Sequence, residues 1–124
     1  MTAVEQLTPP CAFHGEGPIW DSVADCFRWV DMLRGDILTL RSDGTVDRLR
    51  VGSVAGAMRP RVGGGLVVAV ERGFALIDVD ERVDPLPELW DDQSVRMNDG
   101  ACDPQGRFYC GSMAYDAAPG RGHL

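Results

Sequence analysis

Apolar residues along the chain fall into short runs separated by glycine, proline and aspartate. Phe27–Val30, Asp36–Leu40, Thr45–Leu49, Gly65–Val70, Phe74–Val79 and Arg107–Cys110 are rich in Val, Phe, Trp and Tyr. Their length and composition predict β-strands. Ser42-Asp43-Gly44 lies between two of them and predicts a hairpin turn, because glycine supplies the positive φ such a turn needs. Gly63-Gly64-Gly65 reads as a turn entering the strand Leu66–Val70. Asp84–Asp92, with Pro85, Pro87 and Trp90, reads as a loop or an irregular edge strand. No segment has the 3.6-residue periodicity of an amphipathic helix.

Three segments share one plan: a turn, an apolar strand, a glycine and a second strand. They are Asp21–Val30 with Gly35–Leu40, Arg61–Val70 with Gly73–Asp78, and Asp103–Cys110 with Gly122–Leu124. The matching strand centres, Trp29, Val68 and Tyr109, are 39 and 41 residues apart. A period of about 40 with several strands per repeat is the mark of propeller blades. The expectation is an all-β chain with about the first two and a half blades, at about 13–50, 51–92 and 93–124. The last blade would stop as its next strand begins at Gly122, so the chain is expected to be the N-terminal part of a longer protein. One intact small domain is the competing reading.

Composition narrows the function classes. With 44% hydrophobic and 25% charged residues, the 124-residue chain is neither disordered nor collagen-like. A net charge of −7 argues against nucleic acid as a partner, since phosphate binding needs clustered positive charge. No apolar run approaches the roughly 20 residues of a membrane helix. Met1–Gln6 has no basic residue and Pro9-Pro10 follows, so no targeting signal is expected and the cytoplasm is the default location. All 12 basic residues are arginine, which reads as compositional bias. Cys11, Cys26, Cys102 and Cys110 have no zinc-site spacing and are expected to be free, buried thiols.

Two motifs could carry chemistry. In His14-Gly15-Glu16-Gly17-Pro18-Ile19-Trp20, Glu16 stands between two glycines. A loop carboxylate is a hard-cation ligand, while on local sequence alone Glu16 reads as a solvated turn residue and His14 as turn or surface. In Val95–Arg107, Arg96 and Asn98 are two apart, so an extended segment puts them on one face and Met97 on the other. A guanidinium beside an amide suits a polyhydroxylated or carboxylated small molecule. Asp99-Gly100 and Asp103-Pro104-Gln105-Gly106 read as turns, and the plainer reading has both aspartates as turn caps with Arg96 paired to one of them.

The stretches HGEGPIWD, GGLVVAVERGFALID and RMNDGACDPQGRFYCGSM resemble the gluconolactonase, regucalcin (senescence marker protein) and luciferin-regenerating enzyme family, from about Phe13 onward. The resemblance implies a six-bladed β-propeller with one divalent metal ion (Ca, Zn, Mn or Mg) on its axis, hydrolysing sugar lactones and related esters. It implies that Glu16 is a metal ligand and that Arg96 and Asn98 contact substrate. Asp116, three residues past Met113, takes the place of a further acidic substrate contact, where regucalcin-like members carry the longer Glu. The family's other metal ligands, an Asn and an Asp that is also expected to be the general base, match nothing before Leu124. No catalytic residue is therefore expected in this chain, which is expected to be inactive alone. The resemblance leaves the oligomeric state open.

The implied mechanism is metal-assisted opening of a small lactone, with the carbonyl polarised by the cation and a carboxylate accepting the proton of the attacking water. A strictosidine-synthase-like or phosphotriesterase-type propeller would share EGPxW and the blade period, but the RMNDG segment argues against it. A non-catalytic propeller would not need Glu16, Arg96 and Asn98 to converge.

Overall fold

The computed structural model describes residues 2–124; Met1, at the head of the stretch without basic charge, lies outside the described residues. The chain forms three antiparallel sheets in sequence order. The first is the meander β1 (Gly15–Asp21), β2 (Cys26–Asp31), β3 (Asp36–Leu40) and β4 (Val46–Arg50). The second is β5 (Met58–Pro60), β6 (Leu66–Val70), β7 (Gly73–Ile77) and β8 (Val83–Pro85). The third is the hairpin of β9 (Val95–Cys102) and β10 (Phe108–Ala114). Among the described residues the one helical element is a 3₁₀ turn, Met32–Arg34. No helix there is long and apolar enough to cross a membrane.

The sheets stack face to face because β6 is apolar on both sides. Leu66 and Val68, with Ala75 and Ile77 beside them on β7, join Val30, Ile37, Val51, Ala55 and Met58 in the core against the first sheet. Ala69 points the other way and packs with Met97 and Cys110 of the hairpin, flanked by Phe74, Trp90 and Phe108. Period-two alternation divides one strand between two cores. Trp29, Val68 and Tyr109 lie on β2, β6 and β10, the second strand of each sheet.

Aspartate shapes the turns. Asp21, Asp43, Asp78, Asp92, Asp103 and Asp116 each accept the backbone amide two residues on. The shorter side chain closes such turns where glutamate overreaches. The hairpin at Ser42–Gly44 is present, with Gly44 at φ +85°. Asp84–Asp92 divides as its composition suggests: β8 takes its start, and irregular chain follows, with Trp90 Nε1 donating to the Val95 carbonyl at 3.2 Å.

Several details depart from the sequence reading. Glu16 lies on a strand, β1, and not on a loop. Asp99-Gly100 is not a turn but part of β9, where the Asp99 carboxylate accepts the Gly100 amide. Gly122–Leu124 forms no strand, although the Ser112 amide donates to the His123 carbonyl at 2.8 Å. All four cysteines are free, yet Cys102 is exposed while Cys26 and Cys110 are buried. Burial pushes the Cys110 thiol up to about 11, so it stays protonated.

Candidate functional site

The first strands of the three sheets converge: β1 adjoins β5, and β5 adjoins β9. Glycine sets the spacing. A Cβ on Gly56 would stand 2.4 Å from the Asn98 carbonyl oxygen, and one on Gly17 would stand 3.8 Å from the Gly56 carbonyl oxygen. The EGP and NDG motifs thus lie on either side of one glycine. Arg59 of β5 ties the junction further, donating to the Gly100 carbonyl at 2.9 Å.

Each motif contains a β-bulge. In β1, Glu16 pairs with Val30 and Ile19 with Arg28, so Gly17 and Pro18 together face Trp29. In β9, Met97 pairs with Ser112 and Gly100 with Cys110, so Asn98 and Asp99 together face Gly111. Bulges re-aim side chains and bend a strand. Gly17 has φ +54°, which explains the glycine after Glu16.

Arg96 and Asn98 come together as their spacing implies. Arg96 is 8% exposed, and its Nη1 donates to the Met97 carbonyl at 3.0 Å and to Asn98 Oδ1 at 3.3 Å. Met32 Sδ lies 3.4 Å from the same nitrogen. Met97 points the other way into the core. Arg96 has no ion pair with a carboxylate among the described residues, and its Nε is buried without a partner. An unpaired guanidinium in such a place is costly, so an electron-rich ligand is its natural complement.

The site includes two residues that the motifs did not mark. The guanidinium carbon of Arg96 lies 5.5 Å from the ring centre of Tyr115, whose hydroxyl donates to Glu71 Oε1. Glu71 occupies the two-residue turn between β6 and β7, and its carbonyl accepts the Met97 amide at 2.8 Å. Burial, then the Glu71 carboxylate, pushes the Tyr115 hydroxyl up to about 12, so it remains a donor at neutral pH. The signal available in the sequence was a charged pair, Glu71-Arg72, at a tight turn.

Glu16 and Asp116 are placed differently. The Glu16 side chain is 52% exposed, and His14 Nε2 lies 3.5 Å from its carboxylate. It borders an open cavity of about 670 Å³ between Gln6–Ala12 and Phe27, Trp29 and Leu40, away from Arg96. Asp116 is exposed and its Oδ1 accepts the Ala118 amide at 3.0 Å. Among the described residues no group of three or more His, Cys, Asp or Glu converges as a metal cluster. One exposed carboxylate, that of Glu16, suits a hard cation as a single ligand.

The N-terminal approach to Glu16 is held from behind. Asp31 is buried and accepts the amides of Phe13 and His14 at 2.9 and 2.8 Å, with Arg48 at 3.1 Å. Burial would raise the Asp31 carboxyl, but these two amides and Arg48 outweigh it and hold it below the ordinary 3.8.

Comparison with known proteins gives this geometry its context. The family described as SMP-30/Gluconolactonase/LRE-like region matches residues 14–124. Regucalcin of Danio rerio is 32% identical over 108 residues, covering 85% of this chain and 36% of its own length. The 6-deoxy-6-sulfogluconolactonase of Pseudomonas putida is 34% identical over 104 residues, covering 80% of this chain and 35% of its own. The calcium-binding protein regucalcin of Agrobacterium tumefaciens matches with a TM-score of 0.82 and 25% identity, over 94% of this chain and 40% of its own. The chain thus spans 35–40% of the length of these proteins. Its all-β sheets form part of the propeller they share. With the family's model matched along all but the first thirteen residues, this chain belongs to the SMP-30/gluconolactonase/LRE-like family.

Proposed function

We propose that the protein hydrolyses a sugar lactone or a related small ester, and that this chain supplies the part of the site that holds the sugar. The observation that carries the reading is Arg96: buried, without an ion pair among the described residues, and 3.3 Å from the Asn98 amide oxygen. Its guanidinium and the Asn98 amide offer donors and an acceptor to hydroxyls or a ring oxygen. The lactonase and regucalcin relatives support this substrate class.

Asp116 contributes a further acceptor for a sugar hydroxyl if its carboxylate leaves the Ala118 amide. Glu16 acts as one ligand of a divalent cation, a role supported by its exposure and by the calcium-binding relative. When bound, such a cation polarises the lactone carbonyl. The residues of this chain bind and orient: Arg96 and Asn98 fix the sugar from β9, while the glycine contact at Gly56 fixes β9 against its neighbours. The protein acts in the cytoplasm on a small neutral molecule, for which an acidic surface is no obstacle.

Binding of D-gluconolactone to the chain, followed by NMR, tests the reading. The lactone should shift the resonances of Arg96 and Asn98, and Arg96→Met should abolish those shifts. Equal binding by the parent and Arg96→Met would sink the assignment.

A further inference from the structure

We propose that Glu71 and Tyr115 are positioning residues that clamp the Arg96 guanidinium in the orientation it presents to ligand. The inference rests on the lactone reading of the site and adds two residues from outside its motifs.

Glu71 reaches both flanks of Arg96 from the neighbouring sheet. Its carbonyl accepts the Met97 amide at 2.8 Å, fixing the backbone just after Arg96. Its carboxylate accepts the Tyr115 hydroxyl, fixing the ring beneath the Arg96 guanidinium carbon. Glu71 is itself held by Ser53 Oγ at 3.1 Å and Arg72 Nη1 at 2.8 Å. The Tyr115 amide donates to the Ser94 carbonyl at 2.9 Å, anchoring the chain past β10 to the residue before β9.

Arginine has a long, flexible side chain, and a guanidinium without a carboxylate partner has no strong bond to choose its rotamer. Here Nη1 is occupied by Met97 and Asn98, and the guanidinium carbon stands over the Tyr115 ring, 5.5 Å from its centre. The partnerless Nε is left over. The clamp thus supplies order without neutralising the charge, as a binding group for a neutral polyol or lactone requires. Tyr115 remains 46% exposed, so its outer edge is also available to ligand.

The test uses the nitrogen-labelled chain and reads the Arg96 Nε–H resonance, assigned by its loss in Arg96→Lys. Glu71→Ala and Tyr115→Leu should speed its exchange with water by about fivefold, the scale of one lost hydrogen bond or stacking contact. Glu71→Gln keeps an oxygen for the tyrosine hydroxyl and should return the rate to near the parental value. Tyr115→Phe keeps the ring and should fall between. A purely structural role would not move the Arg96 signal selectively, nor be rescued by glutamine. A parental rate in both truncating variants overturns the clamp. Should they fail to fold, Tyr115→Phe decides, and a parental rate there overturns it.

D-gluconolactone titration separates this inference from the reading beneath it. Arg96 freed in the variants, with no lactone response in the parent, refutes the lactone reading alone. A lactone response in the parent, with Arg96 equally ordered in every variant, refutes the clamp alone.

Discussion

The strands β1 and β9 carry the same device in opposite settings. Both interrupt their ladder with a bulge at the chemically interesting motif. In β1 the bulge is made by a left-handed glycine, and it presents Glu16 to solvent. In β9 the bulge residues are Asn98 and Asp99, and the neighbouring arginine is buried, hydrogen-bonded and set over the Tyr115 ring. One motif therefore leaves its charged group free, and the other orders its group before any ligand arrives. The difference follows from packing: the turn between β6 and β7 brings Glu71 against β9, whereas the exposed carboxylate on β1 borders an open cavity. Preorganisation is a property of the neighbours more than of the motif.

The comparison depends on the junction between the strands, and Gly56→Ala is the strongest way to break it. Gly56 has no positive φ, so the effect is purely steric. Its new Cβ would meet a backbone oxygen at 2.4 Å, and backbone cannot rotate away. We expect a loss of about 3 kcal/mol in urea unfolding. Arg96 and Asn98 resonances should shift, because β9 must retreat from β5. A variant as stable as the parent would show that the strands are not held at this point.

Next in size is Asp31, which anchors the approach to β1. Asp31→Ala leaves the Phe13 and His14 amides without their acceptor and should cost about 2 kcal/mol. Asp31 also has a pH signature. Its folded carboxyl lies below the ordinary 3.8, so the unfolded chain binds the proton more tightly. The stabilisation is complete above the unfolded value and is lost as pH falls through 3.8 toward the lower folded value. Urea midpoints measured across that window should fall more steeply for the parent than for Asp31→Asn. Parallel curves would remove Asp31 from the account.

These residues also show what could be read from the sequence and what could not. The strands β2, β3, β6 and β7 were legible because their apolar runs alternate or continue at strand length. The strands β1 and β9 were not read as strands along their length, because Gly, Pro, Asn and Asp lower strand propensity where a bulge needs them. The shared face of Arg96 and Asn98 was legible from a spacing of two, and Met97 lies in the core accordingly. Glu71 and Tyr115 were not, since they stand 25 and 19 positions from Arg96, and only the stacking of the second sheet on β9 and the closing of the β9–β10 hairpin bring them near.

A smaller effect, of opposite sign, is expected at Arg96. A buried charge with no ion pair is often less stable than an apolar side chain of similar length. Arg96→Met should therefore stabilise the chain by about 1 kcal/mol while losing lactone binding. Thermal unfolding checks the first half and lactone titration the second. A clear destabilisation would mean that the hydrogen bonds to Met97 and Asn98 outweigh the burial of charge, and Arg96 would then be explained by structure alone.

The smallest expected effect belongs to Glu16→Gln, and its smallness is the point. The Glu16 side chain is 52% exposed, His14 Nε2 lies 3.5 Å from its carboxylate, and glutamine has nearly the same shape. Exposed pairs of this kind contribute little, so unfolding should move by less than about 0.5 kcal/mol. Added calcium should then separate the two proteins: any cation-dependent rise in the parent's unfolding temperature should be absent from Glu16→Gln, because binding to the folded state alone stabilises it. Set beside Arg96→Met, the pair defines the division of labour between the two bulges. A loss of several kcal/mol without calcium would place Glu16 in the framework and end the contrast with β9.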